Sequence, residues 1–328
     1  MNTSYKRDVV FSVVIPSFNR VALLERTLKS VFAQRFTDFE IIIVDDGSAD
    51  GTMDFLRSLG QVVKIFHQPH QGAGSARNLG ARHAGGAYLA FLDSDDLWFP
   101  WTLGIYRDVI HEHGHPSFVA GKPLRFTGES ELGKTVSGKV CTERFVDYLA
   151  SGEEWRWWGA SSFVIRRDVF AAVGGFTGAE VNAEDADLAL RLGTAPGFVQ
   201  IISPVTFAYR EHAASAVWDL KRTYEGVCSM IGAEQAGRYP GGRGRAFERR
   251  RILTRHTRPV VFNCLKEGLR REAWMLYRAT FAWNAALGRG RYLAAFPVLA
   301  TLSHMRERRA SNGGPVASKE NRSIRDAH

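Results

Sequence analysis

Apolar and polar positions follow two alternating patterns over the first hundred residues of the chain. Short apolar runs rich in β-branched residues are each followed by a segment with apolar residues at helical spacing. Continuous apolar runs are typical of buried parallel strands, whereas amphipathic helices repeat their apolar positions every three to four residues. The pattern predicts strands at 9–15, 39–44, 62–66 and 88–92 and helices at 21–33, 52–59 and 73–84. Repeated βα units imply a doubly wound, mostly parallel α/β sheet flanked by helices.

The pattern becomes less regular after Pro100. The predicted elements there are a helix to about residue 113, strands near 117–126, 134–140, 160–165 and 198–208, and helices near 142–150 and 183–192. From Arg243 onward apolar residues recur at helical spacing again, which predicts a helical extension. We therefore expect an α/β domain over residues 1–237, a basic amphipathic helical extension over 238–310 and a disordered polar tail over 311–328.

The charge of the chain is concentrated in this extension. Residues 1–237 carry 23 Lys and Arg against 28 Asp and Glu, whereas residues 238–328 carry 20 against 6. Three interpretations are open: a helical appendage with a solvated basic face, attachment to an anionic membrane surface through 238–310, or nucleic-acid binding. No recognised nucleic-acid module accompanies the arginines, so we do not expect a nucleic-acid partner.

Cysteine usage and apolar stretches bear on the cellular location. Cys141, Cys228 and Cys264 lie far apart and in no metal-ligand spacing, which favours a reducing compartment. The first residues lack the apolar run of a signal peptide, and the longest apolar stretch, 292–305, is too short to span a bilayer. We expect a cytoplasmic protein that can attach peripherally to the inner face of the plasma membrane.

Three carboxylates follow the predicted strand at 88–92, namely Asp93, Asp95 and Asp96. Open α/β sheets bind their ligands at the carboxyl ends of the strands. Carboxylates this close repel one another unless a cation or a set of donors neutralises them, and Mg²⁺ or Mn²⁺ takes carboxylate and phosphate oxygens. The alternative is a group of acidic residues at a helix N-terminus, where Asp is also favoured.

Polar and aromatic residues suited to a nucleotide follow the other strands. The first strand ends in Pro16, Ser17 and Phe18, the second ends in Asp46, and the third is followed by a glycine-containing turn and Arg77. An Asp can pair with a pyrimidine imide, and an Arg can contact a base carbonyl or a phosphate. Stacking of a base on an aromatic ring contributes about 1–3 kcal/mol.

Three further features have both a structural and a functional interpretation. Glu184 and Asp185 open a predicted helix, where acids complement the helix dipole but could also serve as a general base. His212 follows a strand and is either a surface residue or a metal ligand. The tryptophans at 155, 157 and 158 either pack in the core or stack on an acceptor sugar.

Taken in order, six motifs resemble those of the family 2 glycosyltransferases, which have a GT-A fold. The matching segments are Val13-Val14-Ile15-Pro16-Ser17-Phe18-Asn19, Val44-Asp45-Asp46-Gly47-Ser48, Ala76-Arg77-Asn78, Phe91-Leu92-Asp93-Ser94-Asp95-Asp96, Gly174-Gly175-Phe176 and Glu184-Asp185-Ala186-Asp187-Leu188. The resemblance covers about residues 9–215. It implies an enzyme that transfers a sugar from a nucleotide-sugar, most often a UDP-sugar, to a hydroxyl group with inversion.

The resemblance also implies roles for individual residues. For the nucleotide, Pro16, Ser17 and Phe18 border the base, Asp46 pairs with it, Arg77 supports it, and Asp93 lies near the ribose. For the metal and the chemistry, Asp95 and His212 contact a Mg²⁺ or Mn²⁺ ion and Asp185 is the catalytic base. For the acceptor, we assign Trp157, Trp158 and Glu184.

Two departures from the family pattern qualify these assignments. His70 stands where the family commonly has Asn, so the contact of that loop is open. The Gln-x-x-Arg-Trp motif of processive polysaccharide synthases is absent, which favours transfer of one sugar, for example to a lipid-linked glycan or a cell-surface polysaccharide precursor.

Two other classes of protein remain as alternatives. One is a catalytically silent scaffold that keeps the fold, and the intact Asp93, Asp95 and Asp185 argue against it. The other is a sugar nucleotidyltransferase, which would have a glycine-rich basic loop after the first strand, where this chain has Pro16-Ser17-Phe18-Asn19-Arg20.

Overall fold

The computed structural model describes residues 10–135, 137–157, 159–178, 181–211 and 219–312, with side chains for all of these except residues 129, 134 and 304–312. The strands are β1 (Phe11–Ser17), β2 (Phe39–Asp45), β3 (Lys64–His67), β4 (Tyr88–Phe91), β5 (Leu97–Trp98), β6 (Phe118–Ala120), β7 (Pro123–Phe126), β8 (Cys141–Phe145), β9 (Phe163–Arg166), β10 (Phe198–Ser203) and β11 (Phe207–Arg210). The helices are α1 (Val21–Phe32), α2 (Thr52–Ser58), α3 (Ala73–Arg82), α4 (Thr102–Glu112), α5 (Arg167–Ala172), α6 (Glu184–Arg191), α7 (Leu220–Gln235), α8 (Ala246–Lys266), α9 (Arg270–Ala286) and α10 (Gly290–Asn312).

The main sheet has eight strands in the order β3-β2-β1-β4-β9-β6-β10-β8. The pairings among β3, β2, β1 and β4 are all parallel, as the βα pattern predicts. β9 lies antiparallel between β4 and β6, and β8 lies antiparallel at the edge beside β10. The predicted α/β sheet is therefore confirmed as a mixed sheet whose parallel half is built from the first βα units.

The parallel half places its carboxyl ends beside α3. Every residue of β1 is buried, which explains its continuous apolar sequence. Gly80 of α3 lies against this strand, because a Cβ added there would be 2.6 Å from Val14 Cγ1. This close approach of helix and sheet fixes the N-terminal turns of α3, including Arg77, next to the strand ends.

A second, three-stranded sheet has the order β5-β11-β7. β5 begins directly after Asp96, and β11 pairs with it in antiparallel orientation. As a result, the backbone N–H of Arg210, the last residue of β11, donates to Asp96 Oδ1 at 3.0 Å. This small sheet therefore brings a distant part of the chain to the end of β4.

Two local predictions were wrong. The strand expected near residues 134–140 is not formed by the described residues of that segment, which hold the end of a 3-10 helix and irregular backbone. Residues 142–150 were expected to be helical, but residues 141–145 form β8, which pairs with β10 along the sheet edge. The partner residues Val199 and Ile201 are fully buried. Pairing with this buried strand outweighs the local helical spacing, because strand formation depends strongly on cross-strand packing.

The chain divides into two compact units, Met1–His256 and Thr257–His328. In the second unit α9 and α10 pack together through Tyr277 and Phe296, whose rings stack with centroids 4.3 Å apart. The sequence-based boundary between residues 237 and 238 stays a prediction. None of the described helices is both long enough and apolar enough to cross a membrane.

Several arginines of the basic segment are used inside the first unit. Arg249 is 4% exposed and pairs with the buried Glu234 of α7 at 2.6 Å. Arg245 pairs with Asp147 at 2.8 Å, and the buried Arg255 donates to the Tyr148 hydroxyl at 3.0 Å. For these three residues the structure favours packing over a solvated basic face.

Candidate active site

A cavity of about 450 Å³ lies at the carboxyl ends of the parallel strands. The predicted site residues that line it are Pro16, Ser17, Phe18, Asp46, Arg77, Asp93, Asp95, Glu184 and Asp185. These residues come from β1, β2, α3, the turn after β4 and the start of α6, so the fold brings together segments separated by as many as 169 residues of sequence, from Pro16 to Asp185. The roles assigned to them from the family resemblance stay predictions.

One wall of the cavity is formed by the end of β1. The Phe18 ring is 37% exposed and stacks on the His70 imidazole with centroids 3.9 Å apart. The neighbouring Ser17 is buried, and its hydroxyl has no hydrogen-bond partner within the described part of the chain. A flat aromatic surface beside an unsatisfied hydroxyl is suited to stacking and hydrogen bonding with a nucleoside.

Asp46 is almost completely buried and accepts from several donors of the turn before α3. Its Oδ1 accepts from Gln68 Nε2 at 2.7 Å and from the Gln71 backbone at 3.0 Å. Its Oδ2 accepts from the Gly72 backbone at 2.9 Å, and the His70 ring lies 2.8 Å away. A carboxylate has about four acceptor positions, so Asp46 can accept all of these hydrogen bonds at once. It therefore holds the turn before α3 in place and also borders the cavity.

Arg77 joins the two acidic groups of the cavity. Its guanidinium donates to Asp93 at 2.5 Å and to Glu184 at 2.6 Å, and the side chain is 6% exposed. Burial alone would lower the pKa of Arg77. The charges of Asp93 and Glu184 outweigh this effect and raise the pKa above its ordinary value, so the residue stays charged. Its Nε has no partner among the described residues.

The acidic residues after β4 have the donor set of a divalent cation site. Asp93, Asp95 and Asp96 each offer an oxygen that lies within 4.8 Å of the others. Asp96 is buried, and its Oδ2 has no hydrogen-bond partner in the described chain. Burial, followed by the charges of Asp95 and Asp93, raises the pKa of Asp96 well above its usual range. Hard carboxylate oxygens and an unsatisfied acceptor fit Mg²⁺ or Mn²⁺.

Glu184 and Asp185 occupy the first turn of α6 and line the cavity, where Glu184 meets Asp93 through Arg77. Burial, together with the adjacent charge of Glu184, raises the pKa of Asp185 to about 7. Burial also raises the pKa of Glu184, although the Arg77 charge opposes this shift. A carboxyl group with a pKa near neutrality is matched to proton transfer at physiological pH.

The tryptophan cluster divides between core and surface. Trp157 is 4% exposed, donates to the Tyr148 hydroxyl at 3.0 Å and packs edge-on against Phe163. It is not among the cavity-lining residues. This placement favours core packing over the acceptor role suggested for Trp157. Trp155 is 49% exposed. Trp158 and His212 lie outside the described residues.

Cavity residues without a sequence-based role include Arg20, Asn182, Arg210 and Arg222. Arg20 pairs with Asp95, and the Arg210 side chain donates to the Asp95 carbonyl at 3.0 Å. Of these four residues, only Arg20 has a signal in the sequence, which is its position shortly after the first strand. Arg210 ends β11, Arg222 belongs to α7 and Asn182 is bound to α7, and none of these placements has a local pattern in the sequence.

The mixed sheet and the carboxylate-lined cavity at its strand ends define a GT-A type α/β domain. A family model described as glycosyl transferase family 2 matches residues 12–170, and the chain carries a domain of this family. The family resemblance predicted from the motifs is therefore confirmed.

Three curated relatives illustrate the similarity. An uncharacterized glycosyltransferase of Haemophilus influenzae is 28% identical over 225 residues, 66% of this chain and 74% of that protein. One of Rickettsia conorii is 43% identical over 108 residues, 32% of this chain and 18% of that protein. The Escherichia coli UDP-Glc:alpha-D-GlcNAc-diphosphoundecaprenol beta-1,3-glucosyltransferase WfgD is 29% identical over 139 residues, 41% of this chain and 54% of that protein. The chain thus spans less than two thirds of two of these three relatives.

Solved structures show the same fold. Residues 1–349 of Staphylococcus aureus TarS match with a TM-score of 0.64 at 17% identity, covering 94% of this chain and 93% of that chain. The same protein in complex with UDP-GlcNAc matches with a TM-score of 0.59 at 14% identity, covering 90% and 92%. The mannosyltransferase PcManGT of Pyrobaculum calidifontis, in complex with GDP-Man and Mn²⁺, matches with a TM-score of 0.54 at 18% identity, covering 90% and 86%.

Proposed function

We propose that the protein transfers one sugar from a nucleotide-sugar to a hydroxyl acceptor with inversion at the anomeric carbon and in a metal-dependent reaction. The observation that carries this proposal is the cavity itself. It combines an aromatic wall, a group of carboxylates suited to a cation and a carboxyl group whose pKa is about 7.

The nucleotide is proposed to bind along the ends of β1 and β2. Phe18 offers its exposed face to the base, while Ser17 offers a buried hydroxyl without a partner in the described chain. Asp46 borders this pocket and keeps the turn after β3 in place through its backbone contacts. Asp93 is oriented by Arg77 and is proposed to face the ribose.

The proposed cation site consists of Asp95, with His212 as a further ligand, and Asp93 and Asp96 as neighbouring carboxylates. A bound Mg²⁺ or Mn²⁺ would neutralise the charge of the nucleoside diphosphate as it leaves. Asp96 Oδ2, which has no hydrogen-bond partner among the described residues, and the short separation of the three carboxylates support this assignment.

Asp185 is proposed as the general base. As the carboxylate it takes the proton of the acceptor hydroxyl while that oxygen forms a bond to the anomeric carbon and the bond from that carbon to the diphosphate oxygen breaks. A single displacement from the face opposite the leaving group inverts the configuration. Because one base is sufficient, no carboxylate nucleophile of the kind used in retaining glycoside hydrolysis is needed.

The relatives support a UDP-sugar donor and a lipid-linked acceptor. TarS has been solved with UDP-GlcNAc, and the name of the E. coli relative specifies UDP-Glc and a diphosphoundecaprenol-linked acceptor. We propose the same donor nucleotide for this chain, and a glycan precursor of the same general kind as acceptor.

Turnover of nucleotide-sugars tests the function. UDP-Glc, UDP-GlcNAc and GDP-Man are incubated with the full chain and GlcNAc-diphosphoundecaprenol, with Mn²⁺ or EDTA, and release of the nucleoside diphosphate is measured. We expect Mn²⁺-dependent release of UDP that is lost in Asp95→Ala and Asp185→Ala. Activity that survives both changes would contradict the roles proposed for Asp95 and Asp185. Absence of turnover of every nucleotide-sugar would contradict the proposed function and favour a silent scaffold.

We also propose that the second unit contacts an anionic membrane through the outer face of α10. Val298, Leu299 and Leu302 on this face are 59%, 43% and 48% exposed. Residues 257–312 carry ten Lys and Arg against three Asp and Glu, which complements anionic headgroups. An exposed apolar stripe on a basic helix is typical of interfacial binding.

Vesicle sedimentation tests this contact without donor or acceptor sugar. The full chain is expected to bind vesicles containing phosphatidylglycerol but not pure phosphatidylcholine, and the double change Val298→Glu, Leu302→Glu should weaken binding at least tenfold. Val62→Glu is the matched control, because Val62 is 69% exposed in the first unit. Unchanged binding of the double variant, or a dimer that it converts to a monomer, would contradict the membrane contact.

A further inference from the structure

The segment that carries Asp185 is attached to α7 through Asn182. The Asn182 side-chain amide donates to the Asp219 carbonyl at 3.2 Å and to the Thr223 hydroxyl at 3.0 Å. Its backbone N–H donates to the Arg222 carbonyl at 3.3 Å. Both the backbone and the side chain of Asn182 are thus bound to the first turns of one helix.

The carbonyl of Asn182 fits against Gly226. A Cβ added to Gly226 would lie 1.7 Å from this oxygen and 3.5 Å from Ala183 Cβ. No side chain can therefore occupy position 226 unless α7 or the segment at 182–183 moves. Glycine in the middle of a helix is otherwise unfavourable by about 1 kcal/mol relative to alanine. The close contact with Asn182 explains why glycine occupies this position.

Ala183 connects this contact to the candidate base. It is the N-cap of α6 and has the left-handed backbone conformation, with φ of 78°. Non-glycine residues rarely adopt positive φ and keep it where the surrounding structure holds them. Because Glu184 and Asp185 follow directly, the backbone angles of Ala183 set the direction of the first turn of α6.

α6 and α7 are each held by a further buried contact. The Tyr239 hydroxyl donates to Asp187 Oδ1 at 2.7 Å, and Tyr239 is 3% exposed. Glu234 near the end of α7 pairs with Arg249 of α8, and both residues are 4% exposed. The basic segment after residue 238 therefore contributes to holding the helix that Asn182 contacts.

We propose that Asn182, packed on Gly226 of α7, is a positioning residue for Asp185, an inference that rests on the proposed function. The contact keeps Ala183 in its left-handed conformation and so directs the Asp185 carboxylate into the cavity. The nucleotide wall at Phe18 and the acidic group after β4 lie on other elements and meet α6 through the contact of Arg77 with Glu184. We therefore expect the contact of Asn182 to act mainly on the rate of transfer and to change donor affinity far less.

Gly226→Ala tests the proposal against a matched control in the same helix. Gly232→Ala is the control, because an added Cβ there meets no described atom within 4 Å. Alanine has the higher helix propensity at both positions, so without the contact both changes would be neutral or stabilising. We expect Gly226→Ala to lower kcat about 100-fold, as a displacement near 1 Å can, while the affinity for UDP with Mn²⁺ stays within twofold. Equal kcat values for Gly226→Ala and Gly232→Ala would overturn the proposal.

Asn182→Ala gives a second test if Gly226→Ala lowers Tm too far for kinetics. This change removes the amide contacts to α7 and leaves the backbone intact. We expect a lower kcat, unchanged affinity for UDP and a displaced acid limb in the pH profile of kcat/KM. Unchanged kcat, or equal losses of kcat and UDP affinity, would overturn the positioning role.

The two levels of the proposal fail in different ways. A wild-type protein without Mn²⁺-dependent turnover of any nucleotide-sugar contradicts the proposed function. A wild-type protein with such turnover, in which Gly226→Ala and Gly232→Ala are equally active, contradicts the positioning role alone.

Discussion

The two acidic groups of the cavity are held in place in different ways. Asp93, Asp95 and Asp96 follow β4 directly, and the pairing of β4 with β1 and β9 sets their position. Glu184 and Asp185 begin an eight-residue helix after a left-handed alanine, and contacts with α7 and Tyr239 hold that helix. The first group comes just after a strand of the sheet, and the second depends on elements that follow it by more than fifty residues.

This difference separates two proposed tasks. The residues proposed to bind the donor and a cation follow strands of the parallel half of the sheet. The proposed base is on a short helix whose direction depends on a few packing contacts. Changes in α7 should therefore lower the rate of transfer while the affinity for the donor stays close to the wild-type value. The following predictions test this separation.

Asp185→Asn is expected to have the largest effect on the rate. The amide keeps the size of the side chain but does not accept a proton at neutral pH, so kcat should fall by about 10²–10⁴-fold. Steady-state release of UDP from the best nucleotide-sugar measures the loss. The contact of Glu184 with Arg77 is untouched, so Tm should stay close to wild type, and a kcat above a tenth of the wild-type value would contradict the assigned base.

Arg77→Met removes the cation between the two acidic groups. The change leaves Asp93 and Glu184 without their buried partner, and loss of one member of a buried pair costs about 3–5 kcal/mol. Urea denaturation measures the free energy of unfolding, and Arg57→Met is the control because the Arg57–Asp54 pair is exposed. A loss as small as that of Arg57→Met would indicate that Arg77 does not link the two groups.

The pH dependence of kcat/KM tests the ionisation of Asp185. Because its pKa is raised to about 7, the proton remains bound below that pH and the base is inactive. The rate should fall tenfold per pH unit below about 7 and level off above it. The contribution of Asp185 to stability should decrease as pH rises from about 4 to 7, since the unfolded state gives up this proton first. A rate that is constant from pH 5 to 8 would contradict the assignment.

Tyr239→Phe is expected to have the smallest effect. It removes one hydrogen bond to Asp187 and costs about 0.5–1.5 kcal/mol in the free energy of unfolding. Because Asp187 keeps its contact with Arg191, α6 should remain in place and kcat should fall less than tenfold. A loss of kcat as large as that of Asp185→Asn would mean that Tyr239 takes part in the chemistry.

The sequence predicts the first acidic group better than the second. Strands β1, β2 and β4 are buried and parallel, so their continuous apolar runs indicate both the strands and the edge where Asp46 and Asp93 lie. The partners of Asp46 and the pairing of Arg77 with Glu184 depend on contacts between residues 22 to 107 positions apart. No local pattern indicates such contacts.

The failures of prediction have the same cause. Residues 142–150 have helical spacing, but residues 141–145 form a strand that pairs with β10. The left-handed alanine at 183 has no signal in the sequence, because alanine is a good helix former. Each of these features is set by packing against a distant element.

The affinity for UDP with and without Mn²⁺, measured by isothermal titration calorimetry in Asp95→Asn and Asp185→Asn, tests the separation of the two groups most directly. We predict that Asp185→Asn keeps the wild-type, Mn²⁺-dependent affinity, whereas Asp95→Asn loses the dependence on Mn²⁺. Equal loss of UDP affinity in the two variants would contradict the account, because both acidic groups would then serve donor binding.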